Sequence, residues 1–194
     1  MRHFSELSES ALRVVDAAEG LVQDRGFNGF SYDDVAKLVG IKKPSIHHHF
    51  ATKADLVATV AQRYTHKFRE SLLGIEGRHA QSPARLTAYA DLFEQTFLHD
   101  RRLCVCGMLG ADGESLPQSV NQEVQRFFEI NQQWLTEMIG QGQADGALRT
   151  SATAATLAEA YLCALEGAMV VGRGLQSPRG PKAVALTFLA TVLS

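Results

Sequence analysis

The stretch from residue 35 to residue 53, VAKLVGIKKPSIHHHFATK, constrains the fold more than any other part of the sequence. It begins as a short helix that Ser31 and Asp34 open as a capping box and that Gly40 closes, because glycine readily adopts positive φ. Pro44 then suits the start of a second helix, where a missing N–H leaves no hydrogen bond unmade. Two short helices joined by a glycine turn are the helix-turn-helix signature.

The second helix of such a unit presents its N-terminal residues to the DNA major groove. Between Ile41 and Ala54 there are three lysines, three histidines and no acidic residue, although the net charge of the whole chain is −2. Phosphate attraction depends on the local charge at the contact surface more than on the total charge, so this segment predicts a small basic patch. The predicted DNA-binding residues are Ser31, Lys42, Lys43, Pro44, Ser45, His47, His48 and Lys53.

The N-terminal part of the chain resembles the TetR family of one-component repressors. The resemblance covers about the first 55 of 194 residues and rests on a fixed order of motifs. These motifs are Ala17-Ala18, Leu21, Arg25-Gly26-Phe27, Ser31, Val35-Ala36, residues 40–50 and Lys53. The family usually has a tyrosine that touches backbone phosphate where this chain has His47. Because histidine changes its charge near neutral pH, that contact would become pH-sensitive here.

Helical spacing of apolar residues predicts an all-α fold, without convincing strand alternation or internal repeats. We expect a helix-turn-helix DNA-binding domain in residues 1–52, where Phe27, Phe30 and Phe50 form a small core. Residues 53–194 should form a helical effector-binding and dimerisation domain. Outside the helix-turn-helix, the predicted helices are 8–26, 52–74, 82–99, 103–112, 117–142, 151–171 and 182–193.

Composition favours a soluble cytoplasmic protein. Hydrophobic residues make up 45% of the chain, but no run of eighteen apolar residues predicts a membrane span. The N-terminal segment MRHFSELSES lacks the apolar stretch of a signal peptide. Three cysteines do not form a secreted disulfide framework, so reduced thiols are expected.

Enzymatic functions are poorly supported by the sequence. Neighbouring residues on a helix point about 100° apart, so His47–His49 are not expected to close on one metal ion. There is no phosphate-binding glycine loop, no HExxH and no Gly-x-Ser-x-Gly. A pair of Cys104 with His99 stays open on sequence alone, but nothing supplies an orienting group or an oxyanion site. No cofactor and no metal are predicted.

The apolar faces of the later helices are expected to converge in a helical body. A solid core accounts for any one of their large side chains, while the TetR resemblance implies that some line an effector cavity. Asn131 lies within an apolar stripe, where a buried amide needs a partner that a ligand could supply. Glu166 is a second polar residue among apolar ones, facing either a ligand or a dimer seam. The candidate effector-binding residues are Phe68, Phe93, Phe97, Cys104, Met108, Phe127, Asn131, Trp134, Met138 and Tyr161.

Cys104 and Cys106 suggest an alternative mode of regulation. Arg101 and Arg102 precede them, and nearby cations favour the reactive thiolate. The chain also resembles an electrophile- and oxidant-sensing branch of the family, in having Cys104 shortly before residues 109–112, Leu-Gly-Ala-Asp. Thiol sensing and inert, buried cysteines both remain open.

The predicted function is sequence-specific transcriptional regulation, with a repressor released from its double-stranded operator by a small molecule. A homodimer through residues 151–171 and 182–193 would hide a bare apolar face, with Ala158 and Ala168 in the seam. Two alternatives remain: a non-specific architectural DNA-binding protein, and a helical hydrolase or metal enzyme.

Overall fold

The structure is a computed structural model that describes residues 4–193. Within that range the predicted all-α fold is confirmed, and the β pairing is limited to one antiparallel bridge between Leu148 and Leu193. The α-helices are α1 (Glu9–Arg25), α2 (Tyr32–Val39), α3 (Lys43–His49), α4 (Lys53–Arg78), α5 (Ser82–Leu98), α6 (Val105–Asp112), α7 (Gln118–Ala144), α8 (Ala154–Gly174) and α9 (Pro181–Val192); short 3-10 helices occupy Phe4–Glu6 and Gly113–Ser115.

The chain divides into two compact units that differ from the division expected at residue 52. The head unit contains the residues up to Phe68 together with Val105–Phe127. The body unit contains Arg69–Cys104 and the residues from Phe128 onward. Both α4 and α7 therefore contribute residues to each unit.

Local capping fixes the helices at the start of the head unit. The hydroxyl of Ser8 accepts a hydrogen bond from the Ala11 N–H at the start of α1. Both halves of the predicted capping box between Ser31 and Asp34 are present at the start of α2. Gly40 ends α2 in the left-handed conformation, with φ 74° and ψ 32°, as the glycine turn predicted.

A buried arginine ties α4 to α1 inside the head unit. The side chain of Arg63 is 8% exposed, and its guanidinium donates to the carboxylates of Asp16 and Glu19. Glu19 also lies 3.5 Å from the ammonium of Lys67. Because Asp16 and Glu19 keep part of their surface in water, this pairing avoids most of the cost of a fully buried ion pair.

The body unit is held by aromatic packing and by polar side chains that bond to backbone. Tyr161 on α8 is fully buried and donates its hydroxyl to the Leu86 carbonyl at 2.9 Å. Ser82 at the start of α5 donates to the Met138 carbonyl. The α5, α8 and α9 helices pack against one another and form the main part of this core.

The predicted end of α4 was wrong. We expected Gly74 and Gly77 to stop this helix, but it continues to Arg78. A glycine inside a helix costs only about 1 kcal/mol relative to alanine. Here Ile75 is buried, and Glu76 accepts a hydrogen bond of 2.7 Å from the Trp134 indole, so packing in the body unit outweighs that preference.

The predicted start and faces of α8 also need correction. The helix starts at Ala154 instead of residue 151, because the Thr153 hydroxyl caps it by accepting from the Thr156 N–H. Ala158 is fully buried within the protomer, so it does not face a dimer partner as expected. Ala168 is half-buried and lines an apolar groove between α8 and α9.

The α8 helix is long and apolar enough to cross a membrane by length and composition, contrary to the expectation from the sequence. In its most apolar window, 33% of the residues are buried inside the protein. Core helices of soluble proteins meet the same criterion, and the buried face of α8 carries Tyr161, Leu165 and Met169, as a core helix would.

Candidate nucleic-acid interface

The α3 helix presents one polar face to solvent because a single side chain anchors its other face. Ile46 is fully buried beneath the helix. Pro44 stands in the first turn, where proline is tolerated. The exposed side chains of α3 and its N-cap are Lys42, Lys43, Pro44, Ser45, His47 and His48. The geometry thus brings together six of the eight residues that the sequence predicted to bind DNA.

Lys43 forms an exposed ion pair with Asp33 on α2. Its ammonium lies 2.8 Å from the Asp33 carboxylate, and the two side chains are 46% and 70% exposed. Exposed pairs of this kind contribute about 0–1 kcal/mol to stability. The lysine can therefore exchange its carboxylate partner for a DNA phosphate or base edge at low cost.

The three consecutive histidines have different surroundings. His47 packs the edge of its ring against Tyr32 at a centroid distance of 4.7 Å, and its Nδ1 lies 3.4 Å from the Ala51 carbonyl oxygen. His49 reaches Ser10 on α1 at 3.2 Å, which agrees with the partly structural role expected for it. Among residues 4–193, no group of three His, Cys, Asp or Glu side chains is arranged to hold a metal ion.

Tyr32 supports the base of α3 from α2. Its buried hydroxyl donates to the Phe50 carbonyl at 3.0 Å, just after α3 ends. Burial, together with the charge of Asp55, raises the pKa of Tyr32 to about 12. The hydroxyl therefore stays protonated, and it fixes the end of the recognition helix as a neutral donor.

Lys53 points into the head, which is not the orientation expected of a phosphate contact. Its ammonium donates to the Phe30 carbonyl and lies over the rings of Phe27 and Phe30, at 4.9 Å and 4.1 Å from their centroids. Burial lowers the pKa of Lys53, while the charges of Asp112 and Asp34 oppose that effect. These contacts give Lys53 a structural role in this conformation.

Ser31 is likewise engaged inside the protein. Its hydroxyl donates to Asp34 at 2.6 Å and accepts from the Asp34 N–H at 3.4 Å. These hydrogen bonds, with the Arg25 charge as a smaller contribution, lower the pKa of the exposed Asp34 carboxyl. A DNA contact by Ser31 would have to compete with the cap of α2.

Sequence reasoning missed the link between α6 and the turn that follows α1. The Asp112 carboxylate accepts a 2.6 Å hydrogen bond from the Phe27 N–H, and Asn28 bonds to Ser115 at 3.1 Å. Gly26 adopts φ 70°, and a Cβ there would lie 2.9 Å from an Asp112 oxygen. The only signal in the sequence was the Gly26-Phe27 pair, which marks a turn but does not name a partner 85 residues away.

The candidate effector-binding residues fall into the two compact units. In the head unit, Phe68 and Phe127 pack edge to face with their centroids 5.2 Å apart, and Met108 lies close to Gly26. The other seven candidates belong to the body unit: Phe93, Phe97, Cys104, Asn131, Trp134, Met138 and Tyr161. Their role in binding an effector stays a prediction.

Asn131 has the partner that a buried amide needs. Its Oδ1 accepts a 2.9 Å hydrogen bond from the Tyr89 hydroxyl, and Tyr89 stacks on Trp134 with a centroid distance of 5.4 Å. Burial, followed by the charges of Glu166 and Cys104, raises the pKa of Tyr89 well above its usual value. Asn131 therefore does not by itself call for a ligand.

Cys104, Cys106 and Cys163 form no disulfide and differ in accessibility. Cys104 and Cys106 are buried, whereas Cys163 on α8 is exposed. Cys104 hydrogen-bonds to the carboxyl of Glu166. Arg101 donates to the Gln176 carbonyl at 3.3 Å.

The fold and the polar face of α3 define a class: a helix-turn-helix DNA-binding protein with a helical body. Residues 14–60 match the family profile described as bacterial regulatory proteins, tetR family. The predicted resemblance to this family is confirmed, because its profile matches the N-terminal part of the chain and the chain is similar over most of its length to transcriptional regulators.

Comparisons that extend beyond the N-terminal residues agree. The transcriptional regulator AcuR of Cereibacter sphaeroides is 26% identical over 151 residues, which cover 76% of this chain and 68% of AcuR. The biofilm operon icaADBC negative transcriptional regulator IcaR of Staphylococcus epidermidis is 27% identical over 128 residues, 66% of each chain. A TetR-family regulator from Agrobacterium tumefaciens superimposes with a TM-score of 0.88 at 29% identity, over 95% of this chain and 98% of that one.

Proposed function

We propose that this protein is a sequence-specific, cytoplasmic repressor that reads an operator with the N-terminal half of α3. The observation that carries the proposal is the exposed row of Lys43, Ser45, His47 and His48 over the buried anchor Ile46. Lysine and serine form hydrogen bonds to base edges in the major groove, while the exposed Lys42 would contact a phosphate.

A homodimer is the second part of the proposal. An apolar groove of about 460 Å³ runs between α8 and α9. Around it, large apolar side chains are exposed, including Val171 at 58% and Leu175 at 75%. Soluble monomers rarely expose contiguous apolar patches, and a second copy would cover this one. Two heads would then reach successive major grooves about 34–36 Å apart.

Release by a small molecule is the third part. An effector that binds the body better when the heads are wrongly spaced for DNA would lower operator affinity. The size of that effect is limited by the difference in its affinity for the two conformations. The repressor role is supported by the similarity to IcaR, which is a negative transcriptional regulator.

DNA selected from a random pool tests the proposal. We expect one enriched sequence with two half-sites. Lys43→Ala and Ser45→Ala should each weaken binding to that sequence by about 1–3 kcal/mol for a lost base contact. Arg149→Ala is the matched control, because it removes an exposed positive charge from the body unit. Unchanged affinity in both α3 variants would contradict the assignment of α3.

The same selection separates the rivals. An architectural DNA-binding protein would enrich no sequence and would respond to no effector. Thiol sensing is disfavoured by the position of Cys104, which is 1% exposed and hydrogen-bonded to Glu166. An electrophile that labels Cys104 in the folded complex and releases DNA, with Cys104→Ser remaining bound, would restore that alternative.

A further inference from the structure

Glu166 is a partly buried acid that the proposed DNA-binding mechanism does not use. It lies on α8 in the body unit, and its Oε1 exposes less than 1 Å². Among residues 4–193 that oxygen has no hydrogen-bond partner. A buried polar atom without a partner costs about 1–3 kcal/mol, and an ionised carboxylate costs more. The fold thus keeps an acceptor that its own side chains do not satisfy.

The surroundings of Glu166 supply neighbours but no counter-charge. The Cys104 thiol hydrogen-bonds to the Glu166 carboxyl. The Tyr89 hydroxyl is close enough for the charge of Glu166 to raise the pKa of Tyr89. The Tyr89 hydroxyl is already committed to Asn131 at 2.9 Å. In the described part of the chain, no lysine or arginine forms an ion pair with Glu166.

The charged groups on the two helices packed against α8 are engaged elsewhere. On α5, Arg85 bonds to the His79 carbonyl at 2.7 Å, while Asp91 pairs with Lys182 of α9 at 2.6 Å. Glu94, also on α5, accepts from the Lys182 N–H at 2.9 Å. The charged groups of α5 and α9 therefore supply no positive charge to Glu166.

Aromatic rings surround the neighbours of Glu166. Tyr89 lies 5.3 Å from Phe93, 5.4 Å from Trp134 and 6.3 Å from Tyr161 between ring centroids. Tyr89, the neighbour of Glu166, thus belongs to an aromatic cluster, and aromatic ring faces add to the attraction of a negative charge for an organic cation.

We propose that Glu166 anchors an organic ammonium ion, an amine that carries an apolar or aromatic group, as the effector of this regulator. The role of this ligand as an effector rests on the proposed function. Its binding site rests on the contacts of Glu166. The ammonium donates to Oε1 and supplies the positive charge that α5 and α9 do not provide. The apolar group of the amine packs on the Tyr89–Trp134 side of the core.

Binding of the cation is linked to a proton. Burial raises the pKa of Glu166 to about 7, against a lowering by the Cys104 hydrogen bond. The ammonium binds the ionised carboxylate, so its affinity is full above this pKa and falls below it. Between about pH 8 and about pH 6 the ionised fraction drops from about 0.9 to about 0.1, which predicts roughly tenfold weaker binding at the lower pH.

Calorimetry with 3-phenylpropylamine tests the site on the full chain. 3-Phenylpropan-1-ol is the neutral counterpart of this probe, and 4-phenylbutyrate is the anionic one. We expect the amine to bind best and to bind roughly tenfold more weakly near pH 6 than near pH 8. Glu166→Gln should lose amine binding and its pH dependence. Glu159→Gln, which changes an exposed acid on the same helix, should retain both.

Each other outcome overturns the inference. If the amine binds Glu166→Gln as well as wild type, Glu166 is not the anchor. If the alcohol or the carboxylate binds better than the amine, the ligand is not an organic cation. If no amine binding is found at millimolar concentration, the site does not exist. If Glu166→Gln fails to fold, Glu166→Asp must show weaker binding with the same pH dependence. Amine binding without loss of operator affinity overturns the effector role. Failure to select any DNA would contradict the proposed function instead, so the two failures are distinguishable.

Discussion

Lys53→Met is the substitution that best separates a structural lysine from a DNA-contacting one. Methionine keeps most of the apolar stem and removes the ammonium. In the structure this ammonium donates to the Phe30 carbonyl and lies over the rings of Phe27 and Phe30. A phosphate contact predicts a loss of DNA affinity, whereas a structural role predicts a loss of stability.

The size of the stability loss follows from these contacts. A hydrogen bond from a charged donor contributes about 1.5–3 kcal/mol, and each cation–π contact adds about 0.5–1 kcal/mol where water is near. Burial opposes them, as the lowered pKa of Lys53 indicates. We expect a net loss of about 1–3 kcal/mol in the free energy of unfolding. For a denaturant slope of about 2 kcal/mol/M, the urea midpoint should fall by roughly 0.5–1.5 M.

Urea denaturation and DNA binding at several salt concentrations decide the question together. Lys53→Met should lower the urea midpoint and leave the salt dependence of operator binding unchanged. Lys43→Ala, which changes the matched lysine on α3, should leave the urea midpoint unchanged and weaken operator binding. The reasoning is refuted if Lys53→Met is as stable as the wild type and reduces the salt slope by about one for each lost phosphate contact.

Other perturbations address the cap, the buried arginine and the dimer. Ser31→Ala should lower the thermal midpoint, because it removes the cap of α2. Hydrogen bonds from Ser31 also lower the pKa of Asp34, so this part of the stabilisation is present above about pH 4 and lost as the pH falls toward that lowered pKa; a difference between wild type and variant that is equally large at neutral pH and in acid would contradict this. Arg63→Met should lower the free energy of unfolding, measured by urea denaturation, by about 1–3 kcal/mol. This loss is smaller than for a fully buried ion pair because Glu19 stays partly solvated. An equally stable variant would show that methionine packing replaces the ion pair. Leu175→Glu should give monomers by light scattering, and a wild-type mass of one chain would exclude the dimer.

Much of the fold was predictable because its signals are local. The capping box at Ser31, the left-handed Gly40 and the buried Ile46 each depend on residues within a few positions along the chain. The buried side of α7 is a local signal as well, since helical spacing alone selects it. Its members Val120, Val124, Phe127, Asn131, Trp134 and Met138 are all buried.

What failed depended on partners far away in the chain. Gly77 has the residue type of a helix end. The helix continues because Glu76 accepts a hydrogen bond from Trp134, which lies 58 positions away in the sequence. Ala158 looks like part of a seam because small residues favour close helix packing, yet the packing that buries it is inside the protomer. The face of α8 that is exposed carries Val170 and Val171 instead.

The contrasting surroundings of Lys43 and Lys53 also bear on how the protein would bind DNA. Lys53 is held inside the head, and Lys43 must first leave Asp33, so few positive charges are available to phosphate without rearrangement. With the net charge of −2, long-range attraction to DNA is weak for one protomer. For the proposed dimer, affinity would come from base contacts and from the joining of two heads, since the second head of a dimer already bound to DNA is held at a high effective concentration. A change in head spacing would remove that gain. Dimer geometry would then be an effective point of control for a protein with weak long-range attraction to DNA.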